Sequence, residues 1–143
     1  MTISGFKFND IDGNKMWLLD EPGLGGWKIQ LTGATSDQPN NEVTTNPDGS
    51  YQFTGVMPGD SAGITLTETA PAGAEGWIQT VFPGTISFKS GTTVEDQNFG
   101  NQRSGTITGQ KFEDKNGNGT VEAESGELGV AGVTITLTPS EGP

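Results

Sequence analysis

The opening of this chain recurs near its far end. Adding 104 to each number maps Ile3, Gly5, Lys7, Phe8, Asp10, Gly13 and Asn14 onto Ile107, Gly109, Lys111, Phe112, Asp114, Gly117 and Asn118. After a two-residue insertion the match resumes at an offset of 106, where Glu21, Gly23, Gly26, Ile29 and Leu31 fall on Glu127, Gly129, Gly132, Ile135 and Leu137. A repeat of this length is a domain-sized unit, not a short solenoid motif. The sequence therefore predicts one whole module, 1–103, and the opening of a second, 104–143, with its first strands and its acidic loop.

The repeated stretch is an extended strand running into an acidic loop. Counting Asp10 as position one, Asp12, Asn14 and Glu21 fall at positions three, five and twelve. That is the side-chain spacing of an EF-hand-type calcium loop, where oxygens on alternate residues converge on one ion. Met16 would add a backbone carbonyl, and Asp20 is a spare or outer ligand. Two positions depart from the pattern: Lys15 stands where position six wants glycine, and Leu18 stands at position nine. The second copy has Gly119 and Glu122 there, so it is expected to be the better site. Its ligands would be Asp114, Asn116, Asn118, the carbonyl of Thr120, Glu122, and either Glu124 or Glu127. Without metal, such a loop reads as a solvated Asx-rich turn.

Composition narrows the functional classes. The net charge is −11 with seven Lys and Arg, so nucleic acid and anionic membranes are poor partners and divalent cations good ones. The absence of Cys and His removes disulfides, Cys/His zinc sites and histidine-based nucleophilic catalysis. A disulfide-free extracellular module needs another staple, such as metal or an unusual covalent link. No run approaches the length of a membrane helix and no signal peptide precedes Ile3, so an export signal would lie outside this stretch or have been removed.

Apolar residues recur with period two, the mark of half-buried strands. Ile3–Phe8, Trp27–Leu31, Tyr51–Phe53, Ile64–Glu68, Trp77–Val81, Ile86–Phe88 and Val94–Asn101 read as strands, with a short edge strand at Glu42–Thr45. Residues 33–50 otherwise read as loop, and Met57-Pro58-Gly59-Asp60 as a turn. Phe6 becomes Gln110 in the second copy whereas Ile3 and Lys7 recur, which places Lys7 on the inner face. Helical periodicity is absent. Seven or eight short strands in about 100 residues predict an all-β, antiparallel Greek-key β-sandwich of immunoglobulin or prealbumin (transthyretin)-like type. Trp27 sits in a core pattern, and Trp17, in a loop, is the more exposed candidate for stacking on a sugar.

Several stretches in order carry a resemblance: Gly-Phe-Lys-Phe-Asn-Asp-Ile-Asp-Gly-Asn, Asp-Glu-Pro-Gly-Leu-Gly-Gly-Trp, Asn-Pro-Asp-Gly-Ser-Tyr-Gln-Phe-Thr-Gly-Val-Met-Pro-Gly, Leu-Thr-Glu-Thr and Asn-Phe-Gly-Asn. Together they resemble the B-type repeats of serine-aspartate repeat surface proteins, relatives of collagen-adhesin B repeats. The resemblance spans 1–103, and 104–143 matches the start of a next repeat. It implies a secreted, calcium-binding, prealbumin-like sandwich strung in tandem in stalks or adhesive arms at the microbial cell surface. It implies no enzyme. The partners it implies are neighbouring repeats of the same protein. Two alternatives stand beside it. One is the subunit of an extracellular fibre or sheath, completed by strands from an identical neighbouring chain. The other is the carbohydrate-binding arm of a larger secreted protein.

In the related collagen-adhesin repeats a first-strand Lys joins a last-strand Asn in an isopeptide bond, assisted by a Glu. Lys7, Glu68 and Asn101 occupy the matching strands here, each on a face with core residues. The other reading of the same residues is a buried Lys7–Glu68 ion pair with Asn101 hydrogen-bonded beside it. Asn98 is a rival partner, but alternation turns it to the opposite face.

Overall fold

A computed structural model describes residues 1–59 and 63–138 of the chain. Asp60, the end of the turn expected at Met57, lies outside the described residues. The chain divides into two units, Met1–Ser104 and Gly105–Pro143. The fold is all-β.

In the first unit the strands are β1 (Thr2–Asn9), β2 (Lys28–Thr32), β3 (Ala34–Thr35), β4 (Glu42–Thr44), β5 (Ser50–Phe53), β6 (Met57–Pro58), β7 (Thr65–Thr69), β8 (Trp77–Val81), β9 (Thr93–Val94) and β10 (Phe99–Arg103). One sheet has the order β5-β1-β10-β8, with β9 also on β1; a second has the order β4-β2-β7; β3 and β6 form a short ribbon. Most pairings are antiparallel, but β1 pairs in parallel with both β9 and β10. First and last strands can run the same way only because the chain between them crosses over through the other sheet.

Both sheets turn apolar faces to one core, giving a β-sandwich-like layering. Ile3, Tyr51, Phe53 and Phe99 come from the first sheet, and Ile29, Leu31 and Leu66 from the second. Burying each such side chain is worth about 1.5–3 kcal/mol against leaving it in water. At Gly5 a Cβ would lie 2.1 Å from the carbonyl oxygen of Gln97, so only glycine lets the segment before β10 close on β1.

The strands at Ile3, Trp27, Glu42, Tyr51, Ile64 and Trp77 form where alternation predicts them. Three readings change. Met57–Pro58 is not simply a turn: it pairs with Ala34–Thr35 inside the segment read as loop. Ile86–Phe88 forms no strand, and Ile86 makes a single bridge to Ile64. The run Val94–Asn101 is split in two, because Asp96 has φ of 58° and Phe6 donates its amide to Asn98 Oδ1 at 2.9 Å.

In the second unit the two expected strands do not form among the described residues. An isolated bridge pairs Phe112 with Gly129, and Ile107, Ile135 and Leu137 are exposed. Two strands have too little apolar partner surface to hold a sheet by themselves.

Candidate metal loops and cross-link site

β1 delivers its last residues straight into the first acidic loop. Asp10 follows the strand, is fully buried, and has no hydrogen-bond partner for either carboxylate oxygen. One oxygen each from Asp10, Asp12 and Glu21 lie within 4.8 Å of one another. Asp10 and Glu21 are buried while Asp12 is exposed, and like charges this close destabilise one another unless a cation or a proton joins them. Glu21 is also buried, and it shapes the loop: Oε1 accepts the Ile11 amide at 2.9 Å and Oε2 the Leu18 amide at 3.1 Å. Asp12 accepts the Asn14 amide at 2.9 Å, and Asn14 Oδ1 accepts the Met16 amide at 2.7 Å. Asp20 is exposed and outside the acidic group. The grouped donors are all carboxylate oxygens, which suit a hard cation.

Lys15 occupies the position reserved for glycine, yet it takes φ of 66°, close to the 77° of Gly119 in the second loop. The missing glycine therefore does not change the turn. Trp17 closes the loop from outside. Its ring lies 4.2 Å from that of Phe6, and its indole N–H donates to the Glu21 carbonyl at 3.2 Å. Trp17 is thus committed to the loop on one side.

The second loop repeats the wiring. Glu127 Oε1 accepts the Lys115 amide at 3.1 Å and Oε2 the Glu122 amide at 2.9 Å, matching Glu21 bond for bond. This makes Glu127, not the exposed Glu124, the counterpart of Glu21. Asp114, however, is exposed and accepts the amides of Gly117, Asn118 and Gly119 at 2.7, 3.1 and 2.8 Å. Those amides, Gly119 first, hold its carboxyl below the usual range. Glu122 takes the side-chain amides of Asn116 and Asn118, and Asn118 Oδ1 accepts the Thr120 amide. Among the described residues three acidic groups converge only in the first loop. The structure groups carboxylates in the first loop and not in the second, where Asn116 stands in place of Asp12 and Asp114 turns to the amides of its own loop.

The second cluster lies in the sandwich interior. Lys7 is fully buried, and its Nζ lies 3.1 Å from Glu68 Oε2 and 4.3 Å from the centre of the Trp27 ring. Apart from this pairing neither atom has a hydrogen-bond partner, and the buried Asn101 Oδ1 has none. Burial pulls the Lys7 amine down from 10.5 to about 8, with the Glu68 charge and hydrogen bond opposing. Burial, then the Glu68 charge, pushes the Tyr51 phenol upward. Asn101 sits opposite Asn9 in the β1–β10 register, two residues from Lys7 on the same face. A cleft of about 480 Å³ lined by Trp27, Leu66, Trp77 and Phe82 reaches Glu68 and Asn101. Trp27 beneath the ammonium was not foreseen as part of this cluster. Its core pattern gave burial but not its neighbour.

No helix among the described residues is long and apolar enough to cross a membrane. No protein-family model matches the chain, and no curated protein matches it.

Proposed function

We propose that the chain is a non-catalytic structural or adhesive repeat of an extracellular, cell-surface protein, with a Greek-key, prealbumin-like sandwich stiffened by calcium. The observation that carries this reading is Asp10: a buried carboxylate with two unpartnered oxygens, grouped with Asp12 and Glu21. Asp10, Asp12 and Glu21 would hold the ion, with Asn14 and the Met16 carbonyl completing the shell. Bound calcium would supply the positive charge this group lacks. The weaker second site would use Asp114, Asn116, Asn118, Thr120, Glu122 and Glu127. Calorimetric titration of the metal-stripped full chain should show calcium binding whose tighter phase Asp10→Ala abolishes. No binding by the folded chain would remove the reading.

The same reading includes a covalent tie between β1 and β10. Burial leaves Lys7 with a larger neutral, nucleophilic fraction than an ordinary lysine has. Its nitrogen attacks Cγ of Asn101, a new amide C–N bond forms, and the bond to the side-chain nitrogen breaks. Glu68 carries the proton from Lys7 to the leaving group, which departs as ammonia. An intact mass lighter by one ammonia, restored by Lys7→Ala, is the expected result.

The exposed Ile107, Ile135 and Leu137 favour a second reading, in which an identical neighbouring chain covers them in a fibre. Sedimentation over a wide concentration range separates the two, since a persistent monomer excludes the fibre.

A further inference from the structure

The acidic loop and the Lys7–Asn101 pair share a backbone contact. The Asp10 amide donates to the carbonyl oxygen of Asn101 at 2.9 Å, and Gln102 Nε2 donates to the Ile11 carbonyl at 3.4 Å. Gly13, further round the loop, also lies against the Gln102 side chain. The first ligand of the calcium reading is therefore fastened to the residue that would be attacked, three positions along the chain from the attacking lysine.

We propose that Asp10 is a positioning residue: with calcium on its carboxylate, its main chain holds Asn101 in place for Lys7. This rests on the cross-link and calcium readings above and adds their coupling. Without a cation the charges of Asp10, Asp12 and Glu21 repel at close range, and no donor neutralises Asp10. The repulsion is relieved by moving the start of the loop outward, and the Asp10 amide moves with it. The Asn101 carbonyl loses that donor, and the β10 backbone gains freedom next to the reacting Cγ. Amide formation needs nitrogen and carbon about 3–3.5 Å apart and aligned, and a displacement of about 1 Å can cost about a hundredfold in rate. Calcium thus acts on the chemistry through geometry, while the groups that exchange protons and bonds remain Lys7, Glu68 and Asn101.

The test uses the full chain, collected in denaturant before it has folded. It is refolded by dilution into calcium or into chelator, and timed samples are weighed for loss of ammonia. Rates are counted per folded molecule, with the near-ultraviolet dichroism of the tryptophans reporting the fold. Loss should be about tenfold to a hundredfold faster in calcium. Asp10→Asn keeps the backbone amide but weakens the ion's hold, so its rate should no longer respond to calcium. Equal wild-type rates in the two solutions would overturn the coupling and leave the cross-link standing. A native fold with no ammonia loss in either solution would overturn the cross-link and the coupling together. A chain that folds only in calcium, or an Asp10→Asn chain that still answers to calcium, would show that the ion acts elsewhere, and would also overturn the proposal.

Discussion

The loops starting at Asp10 and Asp114 share their wiring and differ in what the first carboxylate does. In each, the terminal glutamate accepts two amides of its own loop and is buried. The flanking main-chain bonds also repeat: Leu24 to Lys7 and Val130 to Lys111 are both 2.8 Å. Local sequence is enough for all of this. The surroundings are not repeated. In the first unit the Asp10 amide reaches β10, and the carboxylate is shut away from water with nothing to bond. In the second, Asp114 is exposed and turns back on the glycine amides of its own loop. The same contrast runs through the core positions. Ile3 and Ile29 are 0% exposed, whereas their copies Ile107 and Ile135 are 79% and 76% exposed. The loop is a local structure; the burial of its first carboxylate is found only where the sandwich is complete.

The largest expected difference between the copies lies at Lys7. Glu68→Ala in the un-cross-linked chain leaves Lys7 buried without its ion partner and should cost about 3–5 kcal/mol in urea unfolding. Lys111→Ala, at the exposed copy, should stay within about 0.5 kcal/mol. A small cost at Glu68 would mean that the ion pair is not shut from water. The core positions come next. Ile29→Ala should cost about 2–5 kcal/mol through the cavity it leaves, and Ile135→Ala less than about 0.5 kcal/mol. Equal costs would show that Ile135 is covered in solution.

Alternation was enough to find β1, β2, β5 and β7, because each has one face in the core and one outside it. The same pattern put Lys7, Glu68 and Asn101 on inward faces, where the structure has them buried or nearly so. It failed where pairing was made by few residues. The ribbon of Ala34–Thr35 with Met57–Pro58 has two residues a side and a proline, so no periodicity marks it. The difference in burial between the two loops was not legible in the sequence, for a physical reason. Counting ligand types rewards Gly119 and Glu122 but cannot see that Lys15 adopts the same left-handed turn. Nor can it see that Glu122 bonds Asn116 and Asn118. Burial of Asp10 depends on β10, which lies some ninety residues away in the chain.

Removing calcium sharpens the comparison of the loops. A site bound only in the folded state adds about 2.7 kcal/mol at a hundredfold excess over its dissociation constant. Chelator should lower the melting temperature of the first unit, and Asp10→Ala should remove most of that response. Asp114→Ala should remove less, because the Asp114 carboxylate already has three amides as partners. Differential scanning calorimetry of the full chain decides this, and a larger loss from Asp114→Ala would reverse the ranking.

The smallest expected effect is a pH dependence that reports whether Lys7 is still an amine. In the folded chain burial lowers its pKa from 10.5 to about 8. Below about 8 the amine is charged in both states, and the folded chain bears the full cost of the buried charge. Between about 8 and 10.5 the unfolded chain binds more protons than the folded one, so stability rises with pH. Tyr51 acts in the opposite sense. Its phenol is pushed upward by burial, so ionisation of the unfolded chain near pH 10 begins to favour unfolding. The clean window is therefore pH 8 to 10, and the expected gain there is about 2 kcal/mol at most. Urea unfolding at steps through this window should show the rise in the un-cross-linked chain and lose it in Lys7→Met. Once Lys7 is joined to Asn101 it is an amide and takes up no proton, so the cross-linked chain should show no such rise. A rise of equal size in protein already lighter by one ammonia would mean that a different side chain had reacted.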